Sequence, residues 1–343
     1  MKRLAIVLAL LFAAPIVRAG TVEEDWKAVV AMDAGPPGEP KTQEEARERA
    51  LGHLEKQERA LRAFLAGHAE DDRAFEARLR LSRALQIRAD FTGGEKLRDE
   101  ARKLLGELDR TATTAQRVEV DFAKITALMR ALRQPTREQR EELLAAARKF
   151  QGDHPGDRRL AALLAEVAGL FDMQPATKLA LLEDSLPFAK DAELKSRIAD
   201  DLKRVRLFGR TFPLAGPTLQ GRKADVELLR GKPVLILFFA DFSPPSTAAL
   251  ASIQRAVAEI GAGSVQVLCM SLDGKRETVT TLLREMKVTW PVIFDGKGWE
   301  SPAVRELGIN ALPTVWLLDV KGRLRSLNAL EGTAAQVRQL LKE

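Results

Sequence analysis

Residues 234–240 read V-L-I-L-F-F-A, an apolar run with no polar alternation, and it closes directly into D-F-S-P-P-S at Asp241–Ser246. A strand with one wet face alternates, so an unbroken run of this length calls for a strand covered on both faces. Ser243 followed by Pro244 then marks a helix start. The chain must therefore build a layered α/β sheet around Val234–Ala240, and the turn after such a strand is where that architecture places its chemistry.

The flanking sequence is consistent with this. Phe212 to Leu219 with Gly221 reads as a hairpin, Asp225 to Arg230 as one or two helical turns, and Gly231-Lys232-Pro233 leads into the strand. Ser246 to Ile260 is helical, Val265 to Leu272 is a second buried strand, and Glu277 to Met286 a second helix. Thr314 to Leu318 is a third strand, turned by Lys321-Gly322 into Arg323 to Ala329, and Ala334 to Leu341 closes the chain as a helix. Strands alternate with helices and end in a β-hairpin, the order of a layered α/β domain over residues 209–343.

Upstream, residues 42–208 read as helix throughout. Ala77, Leu81, Ala84 and Leu85 share a face, as do Val118, Phe122, Ile125, Met129 and Leu132, and Leu160, Leu163, Leu164, Val167, Leu170 and Phe171. Breaks fall at Gly93-Gly94, at Pro135-Thr136 where Thr136 and Gln139 form a capping box, at Gly152–Gly156, and at Gln174-Pro175. Seven or eight helices with short breaks imply antiparallel hairpins. His154-Pro155 and Pro175 give residues 150–207 a faint tetratricopeptide character, but no strict repeat is visible, and a bundle accounts for the stripes equally. Residues 20–41 supply a leading helix and the stiff Gly35–Pro40 linker.

At the N-terminus, Lys2 and Arg3, the apolar run Leu4–Val17 and Val17-Arg18-Ala19 have the form of a cleaved export signal, residues 1–19. Pro15 and a length short of roughly 20 residues argue against a membrane span, so no transmembrane anchor is expected after cleavage. Its removal takes three cations and no acids, lowering the formal net charge from +6 to +3. So small a charge, with the signs interleaved, argues against a nucleic-acid partner, and none is expected. Export would permit disulfides, yet Cys269 is the only cysteine, so no intramolecular bridge can form.

Around Phe238–Ser246 the sequence resembles the thioredoxin-fold (redoxin) proteins of the TlpA/ResA group, whose pattern is F-W-A-x-W-C-P-P-C. Phe238, Phe239, Ala240, Phe242, Pro244 and Pro245 fit, while Ser243 and Ser246 stand where both cysteines belong. Gly231–Val234, Met270–Asp273, Trp290–Val292, Leu307–Ile309, Leu312–Thr314 and Leu317–Leu324 match the group in order and spacing. The resemblance implies a thioredoxin-like domain, thiol–disulfide oxidoreductase as the family activity, and at Leu312-Pro313 a cis-proline loop facing the redox pair.

In such relatives the first cysteine sits at a helix N-terminus that stabilises a thiolate, and the second resolves the mixed disulfide. Two hydroxyls cannot store two electrons as a bond, so exchange at Ser243 and Ser246 is excluded by the atoms. Ser243 is expected to cap the helix; a serine nucleophile lacks a base, since no His lies in the domain. Leu312-Pro313 is either a rigid turn or the wall of a peptide groove with Phe242, Pro244 and Pro245. Cys269 reads as a buried strand residue, the alternative being a thiol-dependent antioxidant acting through it.

The remaining signals are weak. Gly216–Lys223 mimics a phosphate loop without its Lys-Ser/Thr ending, and His53, His68 and His154 lack metal-ligand spacing, so neither cofactor nor metal is expected. Trp290, Trp299 and Trp316 read as core or groove-lining residues and Asp241 as a surface charge. The expectation is an exported protein of the periplasm or cell envelope, redox-inactive at S-P-P-S, that binds a protein or peptide partner. Nothing in the sequence decides its oligomeric state.

Overall fold

Polar caps and prolines set the helix starts. In the computed structural model, which describes residues 20–132 and 135–343, Thr21, Thr42, Thr113 and Asp191 each accept a first-turn N–H, and Pro175 occupies a first helical position. The export signal expected over 1–19 lies outside the described residues. The helices are α1 (Val22–Ala31), α2 (Gln43–Gly67), α3 (Ala74–Thr92), α4 (Glu95–Thr111) and α5 (Thr114–Ala131). They continue with α6 (Arg137–Asp153), α7 (Leu160–Ala168), α8 (Pro175–Ser185) and α9 (Ala192–Arg206). The capping box expected at Thr136 and Gln139 is present, with reciprocal bonds of 2.9 and 3.3 Å.

The described residues divide into two compact units, with the boundary between Gln139 and Arg140. In the first, Leu61 and Phe64 of α2 pack on Ala77, Leu81 and Leu85 of α3 and on Val29 and Ala101. The α5 stripe differs from expectation. Val120, outside it, is fully buried against Leu105 and Leu108 of α4, whereas of the expected residues only Ile125 reaches the core. Contact with α4 turns that helix off its most apolar face.

A repeat that the stripes do not show appears in the turns. Phe64-x₃-His68-x₂-Asp71-x-Arg73 joins α2 to α3, and Phe150-x₃-His154-x₂-Asp157-x-Arg159 joins α6 to α7. The Phe–His ring centroids lie 5.2 and 4.8 Å apart. Asp71 Oδ1 accepts from Arg73 N–H at 2.9 Å and Nε at 2.8 Å; Asp157 Oδ1 accepts from Arg159 at 2.8 and 2.9 Å. The same side chains thus build the same turn twice. Unequal helices after each turn hide the period from a search along the chain.

From Phe208 the backbone becomes α/β: β1 (Ala215–Pro217), β2 (Lys223–Asp225), β3 (Val234–Phe239), α10 (Pro244–Ile260), β4 (Gln266–Ser271) and α11 (Arg276–Glu285). Then come β5 (Val292–Ile293), α12 (Pro302–Leu307), β6 (Thr314–Leu318), β7 (Leu324–Ser326) and α13 (Thr333–Leu340). The change of composition at 208–209 falls inside the second compact unit. β1 and β2 pair as the expected hairpin; the main sheet runs β5-β4-β3-β6-β7, with β4 and β5 parallel to β3 and β6 antiparallel to it. β5 and α12 were not legible in the sequence.

β3 is buried on both faces because two cores use it. Leu235, Leu237 and Phe239 pack with residues of α10, α11 and α13. Val234, Ile236 and Phe238 face Phe212, Leu214 and α12 on the other side, where Trp316 meets Phe212 and Phe238 edge-on at 5.3 and 5.5 Å. This two-sided burial is the physical origin of the non-alternating run. Among the described residues no helix is long and apolar enough to cross a membrane.

Candidate functional site

The register of β3 with β6 assembles the candidate site. Phe238 pairs with Thr314, so Pro313 lies one residue further, at the end of the sheet where β3 turns through Asp241–Ser243 into α10. Ser243 is the N-cap residue of α10, with Pro244 and Pro245 in its first turn, and the Leu312–Pro313 bond is cis. One edge therefore brings together Phe242, Ser243, Pro244, Pro245, Leu312 and Pro313.

The two serines differ. Ser246 is fully buried, and its Oγ accepts the Ala240 N–H at 3.4 Å, stitching the turn to the strand end. Ser243 is half-buried and makes no capping bond, contrary to expectation. The reason lies in its neighbours: Pro245 has no N–H, and the Ser246 N–H is taken at 2.8 Å by the carbonyl of Ser243 itself. The Ser243 hydroxyl is left without a partner in the first turn. Beside it Phe242 is 59% exposed, a large apolar ring in water. Across the edge, among the described residues, the Leu312 N–H and C=O make no hydrogen bond.

A buried carboxyl closes the third side. Asp273, just past β4, accepts the Asp241 N–H at 3.0 and 3.2 Å and the Ser271 hydroxyl at 2.8 Å, and its own N–H donates back to Ser271 Oγ at 3.1 Å. Burial lifts its pKa above the ordinary aspartate value, opposed by the bonds from Ser271 and the Asp241 N–H. Asp273 thus holds the turn that carries Phe242 and Ser243. In the sequence this role is marked only by two polar residues, Ser271 and Asp273, two apart at the mouth of an apolar strand. Asp241 itself is exposed.

Cys269 is remote from this edge in chemical terms. It sits in mid-strand between Leu237 of β3 and Val292 of β5, is fully buried, and packs in the core with Leu235, Phe239 and Val279. Burial raises the pKa of its thiol. Trp316 is fully buried, Trp290 packs partly buried against the core, and Trp299 is half-exposed. His53 Nε2 donates to the Met32 carbonyl at 2.8 Å and His68 Nε2 meets Asp25 at 2.9 Å. Among the described residues no group of His, Cys, Asp and Glu could hold a metal ion.

A mixed sheet entered by a buried central strand, a proline-led helix at its mouth and a cis-proline across from it define a thioredoxin-like domain. The comparisons give that class its relatives. Residues 209–327 match the AhpC/TSA family model. The sporulation thiol-disulfide oxidoreductase A of Bacillus subtilis (strain 168) is 24% identical over 129 residues, 37% of this chain and 76% of its own. The thiol-disulfide oxidoreductase ResA of Oceanobacillus iheyensis is 29% identical over 137 residues, 38% of this chain and 69% of its own. Among solved structures, a thiol-disulfide oxidoreductase from Bacteroides fragilis aligns at 24% identity and a TM-score of 0.34, covering 38% of this chain and 98% of that one. The chain is thus similar over less than two-fifths of its length to thiol–disulfide oxidoreductases of the ResA type, and the family model falls within its α/β part.

Proposed function

We propose that this is an exported protein of the periplasm or cell envelope whose thioredoxin-like domain binds a protein or peptide partner without thiol–disulfide exchange. The observation that carries the reading is that positions 243 and 246 bear hydroxyls while the one thiol, Cys269, is buried in mid-sheet. Forming a disulfide removes two electrons and two protons from a pair of thiols. Two alcohols do not undergo that step, and a single sulfur with no solvent access neither attacks a substrate disulfide nor resolves one. The same burial counts against a peroxide-reducing role for Cys269.

Binding is supported by what the edge leaves open. An exposed phenyl ring at Phe242 and the unbonded backbone of Leu312 offer an extended peptide an apolar anchor and a main-chain donor and acceptor. Export is supported by the form of residues 1–19.

Insulin reduction by dithiothreitol tests the redox half. The wild type is expected to add nothing to the uncatalysed rate, and Ser243→Cys/Ser246→Cys to gain turnover; wild-type turnover would falsify the reading. For the binding half, a photo-crosslinking residue at position 242 should give partner adducts in envelope extract that the same residue at 320, exposed on the far hairpin, does not. Equal labelling from both positions removes the groove from the account.

A further inference from the structure

The loop that leads to Leu312-Pro313 is held from outside the thioredoxin-like domain. Its first residues, Gly308–Asn310, lie against α9, the last helix of the helical region and part of the same compact unit. Arg204 of α9 donates through Nη1 to the Gly308 carbonyl and to Asn310 Oδ1, the latter at 2.6 Å, and through Nη2 to Asp201. Asn310 Nδ2 donates back to Asp201 Oδ1 at 3.4 Å, so Arg204, Asp201 and Asn310 close a ring across the seam. Lys203 Nζ adds a bond to the Arg305 carbonyl at 3.4 Å.

At Gly308 the seam is in tight contact as well as bonded. Gly308 has φ +69°, and a Cβ there would lie 2.6 Å from the Asp200 carbonyl oxygen, so neither the conformation nor the space admits a side chain. The Arg204 side chain is only 18% exposed. A guanidinium withdrawn from water must keep its acceptors, and two of the three it has here belong to the loop. α9 does not need them to end properly, because the Leu207 N–H already closes the helix on the Arg204 carbonyl at 3.1 Å.

From this seam we infer that α9 is a latch on the 308–312 loop, so that the Leu312-Pro313 side of the candidate groove is positioned from the helical region through Arg204. The mechanical half of this stands on the contacts alone; its bearing on function rests on reading that edge as a partner-binding groove. Occupancy of the groove and docking of α9 are then thermodynamically linked, and each alters the other by the same factor.

Hydrogen exchange read by mass spectrometry on the full chain tests the latch, comparing wild type, Arg204→Met and Asn310→Ala. The reporters are the Gly308 and Ile309 amides, bonded to the Arg305 and Val304 carbonyls at 3.3 and 2.9 Å. Arg204→Met should speed their exchange about tenfold and Asn310→Ala about threefold, with β3 and β4 amides within about twofold of wild type. Unchanged reporters in both variants, or equal acceleration across β3 and β4, overturns the latch.

Adding Arg204→Met to the Ser243→Cys/Ser246→Cys chain separates the two halves. Insulin reduction should fall several-fold below that of the double-cysteine parent. An equal rate despite a freed loop overturns the functional link. An inert parent with responsive Gly308 and Ile309 amides leaves the latch standing and brings down the groove reading instead.

Discussion

The two αα-turns of the helical region and the β3–α10 turn each set a phenylalanine beside polar side chains, yet they end in opposite states. At Asp71 and Asp157 each carboxylate is consumed by the arginine two residues on, and each histidine ring packs at a tilt against its phenylalanine. The turns are closed and serve the fold. At Ser243 the hydroxyl makes no cap bond, Phe242 is left in water, and Leu312 opposite keeps its backbone groups open. A turn whose polar groups are spent locally has nothing to offer a partner; one that leaves an apolar ring and unpaired groups at a sheet mouth does.

The largest test of this contrast is in the closed turns. Phe64 and Phe150 are both buried, and truncation to alanine should cost about 3–5 kcal/mol at either position, as for buried phenylalanines generally. Urea unfolding would show whether the two costs agree within about 1 kcal/mol, the scatter allowed to one turn built twice. A gap larger than that means the repeat is one of sequence and not of mechanics.

Next comes the exchange of sulfur and oxygen. Cys269→Ser places a hydroxyl in an apolar strand and should destabilise by about 1–3 kcal/mol. Ser246→Ala removes one long bond to Ala240 and should cost about 1 kcal/mol or less. If Cys269→Ser proves the milder of the two in a denaturant series, the environments of β4 and of the turn have been misjudged.

Acid titration should separate the two regions by sign. The bond and charge from Arg159 hold Asp157 below the usual aspartate range, so its stabilisation is complete above the unfolded pKa near 3.8 and is lost as pH falls through the lower folded value. Asp273 behaves inversely. Burial raises it, so its contribution is complete below pH 3.8 and is lost as pH rises through the higher folded value. Asp273→Asn should therefore flatten the decline of stability just above pH 4, while Asp157→Asn should flatten the loss below it. Matching profiles would contradict the assignment.

The smallest effect belongs to Ser243→Ala. A typical cap is worth about 1 kcal/mol, but here the change should stay within about 0.5 kcal/mol, the range of an uncoupled surface site. A full cap-sized loss in thermal melts would show that the hydroxyl is engaged after all.

The thioredoxin-like domain is legible because its central strand has no polar face and its turn carries two prolines; both signals are local and locate β3 and α10, while separate apolar runs give β4 and β6. The placement of Pro313 by the Ser243 turn followed from resemblance and is seen in the register. β5 is two residues long and takes its identity from its neighbour β4, so no local pattern announces it. The α5 face was misjudged because a helix touched on several sides does not follow its most apolar stripe. The Phe–His–Asp–Arg turn stands in plain residues, but it lies between helices, where helical periodicity carries no signal. Arg204 and Asn310 are 106 positions apart, and their meeting depends on tertiary packing.

The central claim, that this fold is retained without a usable sulfur, is tested most directly by the reactivity of Cys269. With a maleimide in large excess, native protein should remain unlabelled over hours, while protein in denaturant takes up one label per chain at once. Stoichiometric labelling of the native chain within minutes would contradict the account, because the one thiol would then be open to a substrate.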